Sequence, residues 1–160
     1  MREWIIGVIC LFAGMIIACL FRSGNIQKSK KYLAKYKAFY WCLIRFVKLK
    51  QHGLSFDVVL KDKGITSVAI YGMKELGELI LYELKGSSIE VKYAIDREAD
   101  SIYADIPIYK PNDSYDKVDM VIVTVLTHNR SLLEELREKY DWKVVTINEV
   151  LGYFDWDKIE

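Results

Sequence analysis

The chain has 160 residues, 52% of them hydrophobic and 28% charged, with a formal net charge of +1, which allows one modest domain plus an appendage. The near-neutral total hides an asymmetry: nine basic and no acidic side chains lie between residues 22 and 50, whereas residues 57–160 carry 13 basic and 21 acidic ones. A local charge of −8 speaks against nucleic acid as a partner of that C-terminal part.

The first element is "WIIGVICLFAGMIIACLF", residues 4–21, eighteen residues without a charge. At ~1.5 Å per residue this run reaches ~27 Å, enough to cross a bilayer core, and it is too long for a signal-peptide core. Ile16-Ile17-Ala18-Cys19 also fits the loose pattern of a lipoprotein cleavage site, but Leu20 and Phe21 continue the apolar run past the cysteine. The expectation is an uncleaved single-pass transmembrane anchor. The basic residues that follow mark a cytoplasmic flank, which places the protein in the cell membrane with its C-terminal domain in the cytoplasm. Cys10, Cys19 and Cys42 offer no paired thiols outside that span, which suits a reducing compartment.

Residues 22–63 read as basic, aromatic juxtamembrane helices. Leu33, Tyr36, Tyr40, Leu43 and Val47 recur at spacings of three and four, with Phe39 and Phe46 beside them. The stripe predicts packing on the following domain. Contact with anionic lipid accounts for the nearby basic residues more simply than RNA or DNA does, and dimerisation through this helix stays open. His52-Gly53 ends the helix, and "LSFDVVLKDKG" predicts a short second one with Ser55 as cap and Gly64 as stop.

From residue 64 to 153 the pattern alternates. "ITSVAIY" is a strand, "KELGELILYELKG" a helix, "IEVKYAID" a strand, "IPIY" a short strand and "DMVIVTVL" a continuous apolar one. "NRSLLEELREKY" is a helix, "KVVTI" a last strand and "NEVLGYF" a helical turn, followed by a tail at 154–160. Such alternation implies parallel βαβ units, with the continuous apolar strand at the centre of the sheet. The fold class is α/β, half of a doubly wound fold with strand order 3-2-1-4-5. Residues from about 54 onward hold enough apolar strand to fold without the preceding helix.

The turn after the first strand is "YGMKELG", Gly72-Met73-Lys74-Glu75-Leu76-Gly77 between strand and helix. In a dinucleotide-binding turn the first glycine bends the chain, the second admits a pyrophosphate, and the third lets helix approach strand. Gly72 and Gly77 match the first and third. Lys74 stands at the second, where it could meet phosphate as a point charge beside the free N–H groups of the helix start, or simply lie in solvent. Asp96, 24 residues after Gly72, ends the second strand where an acid can accept ribose hydroxyls, or cap the strand end. Arg97 could contact phosphate or pair with a neighbouring acid. Thr127, His128 and Asn129 follow the central strand and face the same crevice. Thr127 or Asn129 could equally cap the next helix, and a lone histidine such as His128 is more often a surface residue than a catalyst.

Residues 65–151 resemble the Rossmann-like nucleotide-binding domain of bacterial sugar-nucleotide and capsular polysaccharide biosynthesis proteins. The resemblance rests on "VAIYGMKELGELI", "AIDR", "IPIYKP" and "VDMVIVTV" with its downstream "VVTINEVL". It implies a site for a nucleotide sugar, NAD or S-adenosylmethionine, formed by residues 72–77 with Asp96, Arg97, Thr127 and His128. It also implies polysaccharide-synthesis proteins as partners. None of the eleven tyrosines has a lysine four residues on, so the Tyr-x-x-x-Lys acid–base pair of dehydrogenase relatives is absent. The expectation is therefore a membrane-tethered nucleotide- or nucleotide-sugar-binding accessory module in surface polysaccharide synthesis, with no catalysis of its own. The alternative is the cofactor- or substrate-binding half of a sugar-modifying enzyme completed by a partner chain.

Overall fold

The computed structural model describes the backbone of residues 2–126 and 129–156, and their side chains except at 2–3, 5–13, 16–25, 129 and 130. The chain divides into two compact units, Met1–Ala38 and Phe39–Glu160. Helix α1, Arg2–Gln51, supplies all the described backbone of the first unit and opens the second.

Among the described residues no helix is long and apolar enough to cross a membrane. This corrects the expected transmembrane anchor at 4–21, and with it the membrane assignment and the single-pass location with a cytoplasmic C-terminal domain. The stretch is not a bounded element: α1 runs through it without a break into the basic segment. From Ile26 to its end α1 bears eight cations, which hydrocarbon would not accommodate. Within 4–21 only Trp4, Gly14 and Met15 have described side chains, all exposed, and the other side chains of that stretch lie outside the described residues.

The second unit continues through α2 (Phe56–Asp62), β1 (Ser67–Tyr71), α3 (Glu75–Leu84), β2 (Glu90–Ile95), a 3-10 turn (Ala99–Ser101) and β3 (Ile108–Tyr109). It ends with β4 (Met120–Val123), α4 (Asn129–Lys139), β5 (Lys143–Thr146) and α5 (Ile147–Leu151). The five strands form one sheet in the order β3-β2-β1-β4-β5, and every pairing is parallel. Central β1 and β4 are buried at every residue, which explains the apolar sequence of β4 and of β1 after Ser67. Between Val68 and Ala69 the register with β2 slips by one residue.

One face of the sheet carries the larger core. Ile70, Ile80, Met120, Ile122 and Leu151 are buried there together with Cys42, Phe46 and Leu49 of α1. Phe46 and Phe154 flank Phe56, with ring centroids 5.5 and 5.9 Å from it. The end of α1 and part of the expected tail are thus core elements. Helical spacing does place a stripe of α1 on the domain, but on a different face from the one expected. Phe39, Cys42, Leu43, Phe46 and Leu49 pack inward, whereas Leu33, Tyr36, Tyr40 and Val47 are about half to two-thirds exposed.

The opposite face is covered by Leu132, Leu133 and Leu136 of α4 and by an aromatic cluster of Tyr93, Tyr109, Tyr115, Tyr140 and Trp142. The Tyr93 hydroxyl donates to the Asp116 carbonyl at 2.6 Å, and Tyr115 and Tyr140 share a hydrogen bond between hydroxyls. The segment between β3 and β4 includes no helix, so these rings fill the space a crossover helix would occupy. At one sheet margin β3 is two residues long. At the other, Arg137 of α4 donates from Nε and Nη2 to the Val144 carbonyl of β5, at 3.3 and 3.2 Å.

Candidate functional site

The turn after β1 begins at Gly72, whose φ of +95° lies in the region that favours glycine. Its N–H donates to the Ile95 carbonyl at 2.8 Å, which fixes the turn to the end of β2. A Cβ on Gly72 would lie 2.8 Å from the Thr124 hydroxyl oxygen. A Cβ on Gly77 would lie 2.2 Å from the Gly72 carbonyl oxygen. Both positions therefore need glycine for close approach, in the first and third roles read from the sequence.

Lys74, at the middle position, is the N-cap of α3 and supplies no side-chain cap. The N–H groups of the first helical turn, which no helix bonds internally, accordingly receive no help from that side chain. The Lys74 ammonium is 3.6 Å from the Glu98 carboxylate, with the two side chains 64% and 65% exposed. Such a pair is worth ~0–1 kcal/mol, so an incoming anion displaces Glu98 at small cost. Glu75 is exposed in the same turn and opposes anions there. Met73 and Leu76 are buried and hold the loop down rather than face a ligand.

Asp96 lies at the end of β2, 8% exposed, and its carboxylate already has partners. Oδ2 accepts from the Met73 N–H at 2.8 Å and Oδ1 from the Glu98 N–H at 2.9 Å. The residue therefore ties the glycine turn to the loop after β2, so the strand-end role proposed for it is present. Two lone-pair directions of the carboxylate remain for a ligand hydroxyl. Arg97 is exposed, and its charge acts on Tyr71, whose phenol is raised by burial and lowered in part by that guanidinium.

Thr127 and His128 lie outside the described residues, as does the side chain of Asn129. A residue that the sequence reading passed over, Thr124, closes the gap between the ends of β1 and β4. It is buried, and its hydroxyl donates to the carbonyls of Gly72 and Tyr71, at 2.5 and 3.1 Å. A threonine directly after four continuous apolar residues was the available signal. Among the described residues no His, Cys, Asp and Glu side chains gather as a metal site.

The structure thus brings together Gly72, Met73, Lys74, Gly77, Asp96 and Glu98, and ties Thr124 beneath them. Chemically this is an exposed ammonium beside a helix start, on a turn stiffened by hydrogen bonds from below. No family model, curated protein or solved structure matches this chain.

Proposed function

We propose that the chain is a nucleotide- or nucleotide-sugar-binding module, with phosphate held above Gly72 by Lys74 and the first turn of α3. The observation that supports this most directly is the packing of Gly77 on the Gly72 carbonyl. It brings a helix start without a side-chain cap to the carboxyl end of a central parallel strand, where α/β sheets bind ligands. Lys74 supplies charge where a glycine would supply access, and an ammonium reaches phosphate without backbone contact. A mononucleotide or nucleotide sugar therefore suits the loop better than a dinucleotide pressed against it. Nothing in the fold or the comparisons supports the link to polysaccharide synthesis.

Calorimetry on the full chain with UDP-sugars, NAD and S-adenosylmethionine tests the reading. Lys74→Ala is expected to weaken phosphate-bearing ligands about tenfold, or ~1.4 kcal/mol, within the range of a charge-assisted hydrogen bond. Absence of binding at millimolar ligand, or unchanged affinity in the variant, overturns it.

A further inference from the structure

Alongside α3, from Met73 of the glycine turn to residues 103–106, the second unit holds a cavity of about 500 Å³. This volume lies in the range of small-molecule sites, ~300–1,000 Å³. Its apolar lining includes Leu84 and Ile89, both buried. Two tyrosines line it, Tyr82 of α3 and Tyr103, and they are 70% and 95% exposed. Lys85 and Asp105 join the walls through a 2.7 Å ion pair, and Glu78 adds a second carboxylate on the helix side.

We infer that this cavity is a binding site for a neutral, hydroxyl-rich ring, a saccharide. The charge balance carries the first step. Two carboxylates face one ammonium, and that ammonium already holds Asp105, so the lining is net negative and disfavours phosphate. The mixture of groups carries the second. Phenol hydroxyls and the ammonium donate, carboxylates accept, and these alternate with apolar and aromatic surface. A sugar ring has the matching construction, with hydroxyls around its edge and C–H groups on its faces. Tyr103, 95% exposed as a residue, contributes little to the fold, and its ring offers a flat platform for such a face, as aromatic side chains do for other planar partners. The cavity shares Met73 with the glycine turn, but Lys74 and Asp96 do not line it, so the inference does not require a bound nucleotide.

Saturation-transfer NMR on the full chain, with glucose, maltotriose and chitobiose as probes and choline and inorganic phosphate as controls, tests the site. At least one saccharide is expected to bind, and Tyr103→Ala to weaken it about tenfold or more. Tyr82→Ala should act in the same direction, with thermal melts confirming that both variants stay folded. Lys74→Ala should leave saccharide affinity unchanged, which separates this site from the glycine turn. Three results overturn the inference: no saccharide signal at ~50 mM probe, equal affinity in the tyrosine variants, or tighter Tyr103-dependent binding of choline or phosphate than of every saccharide.

Discussion

Asp119, at the entry to β4, uses a single carboxylate oxygen to accept four hydrogen bonds. They come from the Thr66 N–H and hydroxyl and from the Ser67 N–H and hydroxyl, at 2.8 to 3.0 Å. The two backbone donors lead in holding its pKa down to about 2. An unfolded aspartate titrates near ~3.9. The folded pKa is the lower one, so this contribution is fully present above ~pH 4 and is lost as pH falls through about 2. Asp119→Ala should cost roughly 1 kcal/mol at neutral pH. Acid titrations followed by circular dichroism should show a shallower loss of stability below ~pH 4 for the variant than for wild type. Identical acid slopes would remove Asp119 from the account. Asp96 is the contrasting residue. In the sequence it could serve a ribose or the backbone equally well, because both uses need the same carboxylate at the same strand end. Only in the folded chain do the Met73 and Glu98 N–H groups reach it.

At the scale of elements, the contact between α3 and the β1 turn is set by the absence of one methyl group. Alanine at position 77 gains ~1 kcal/mol in helix propensity, but its Cβ would meet the Gly72 carbonyl at 2.2 Å. Backbone has little freedom to yield, and Gly77→Ala is expected to lower stability by a net ~1–3 kcal/mol. It should also weaken nucleotide binding by pushing the helix off its turn. Denaturant unfolding measures the first effect, and a variant as stable as wild type would refute the packing argument. This glycine pair was legible because glycine spacing encodes backbone approach directly. The strands were legible too, since β4 is apolar throughout and β1 after Ser67. The buried face of α1 was not. Two stripes at helical spacing overlap there, and tyrosine fits either a core or a solvated face, so Tyr36 and Tyr40 drew the stripe toward the exposed side. Thr124 was missed because a hydroxyl at the end of an apolar strand looks like the start of a loop. The anchor was misread because an uncharged run of sufficient length satisfies a spanning criterion whatever the helix does next.

For the whole molecule, the division within α1 makes a separable claim. Phe39 to Glu160 forms one compact unit, and its core uses Cys42, Phe46 and Leu49. Removal of residues 2–38 should leave the cooperative transition of that unit in place. A deletion extended through residue 53 should abolish or strongly lower it, contrary to the expectation that residues from 54 onward suffice. Phe46→Ala, in the intact chain, should cost ~3–5 kcal/mol, and exposed Tyr36→Ala less than ~0.5 kcal/mol. Thermal melts of the four proteins check this, and an unaltered transition for the longer deletion would detach α1 from the core. Cys42 belongs to the same packing: burial pushes its thiol up to about 11, so it is poorly nucleophilic at neutral pH.

An open parallel sheet also has two outer strands, each a template on which another extended chain can add itself. In this molecule one of them stops after two residues. On the other, the Arg137 guanidinium occupies the Val144 carbonyl while also reaching Glu149 at 3.3 Å. A neighbouring polypeptide therefore finds one margin too short to copy and the other obstructed by a cation. Both margins thus carry features that, in sheets generally, discourage edge-to-edge addition of strands.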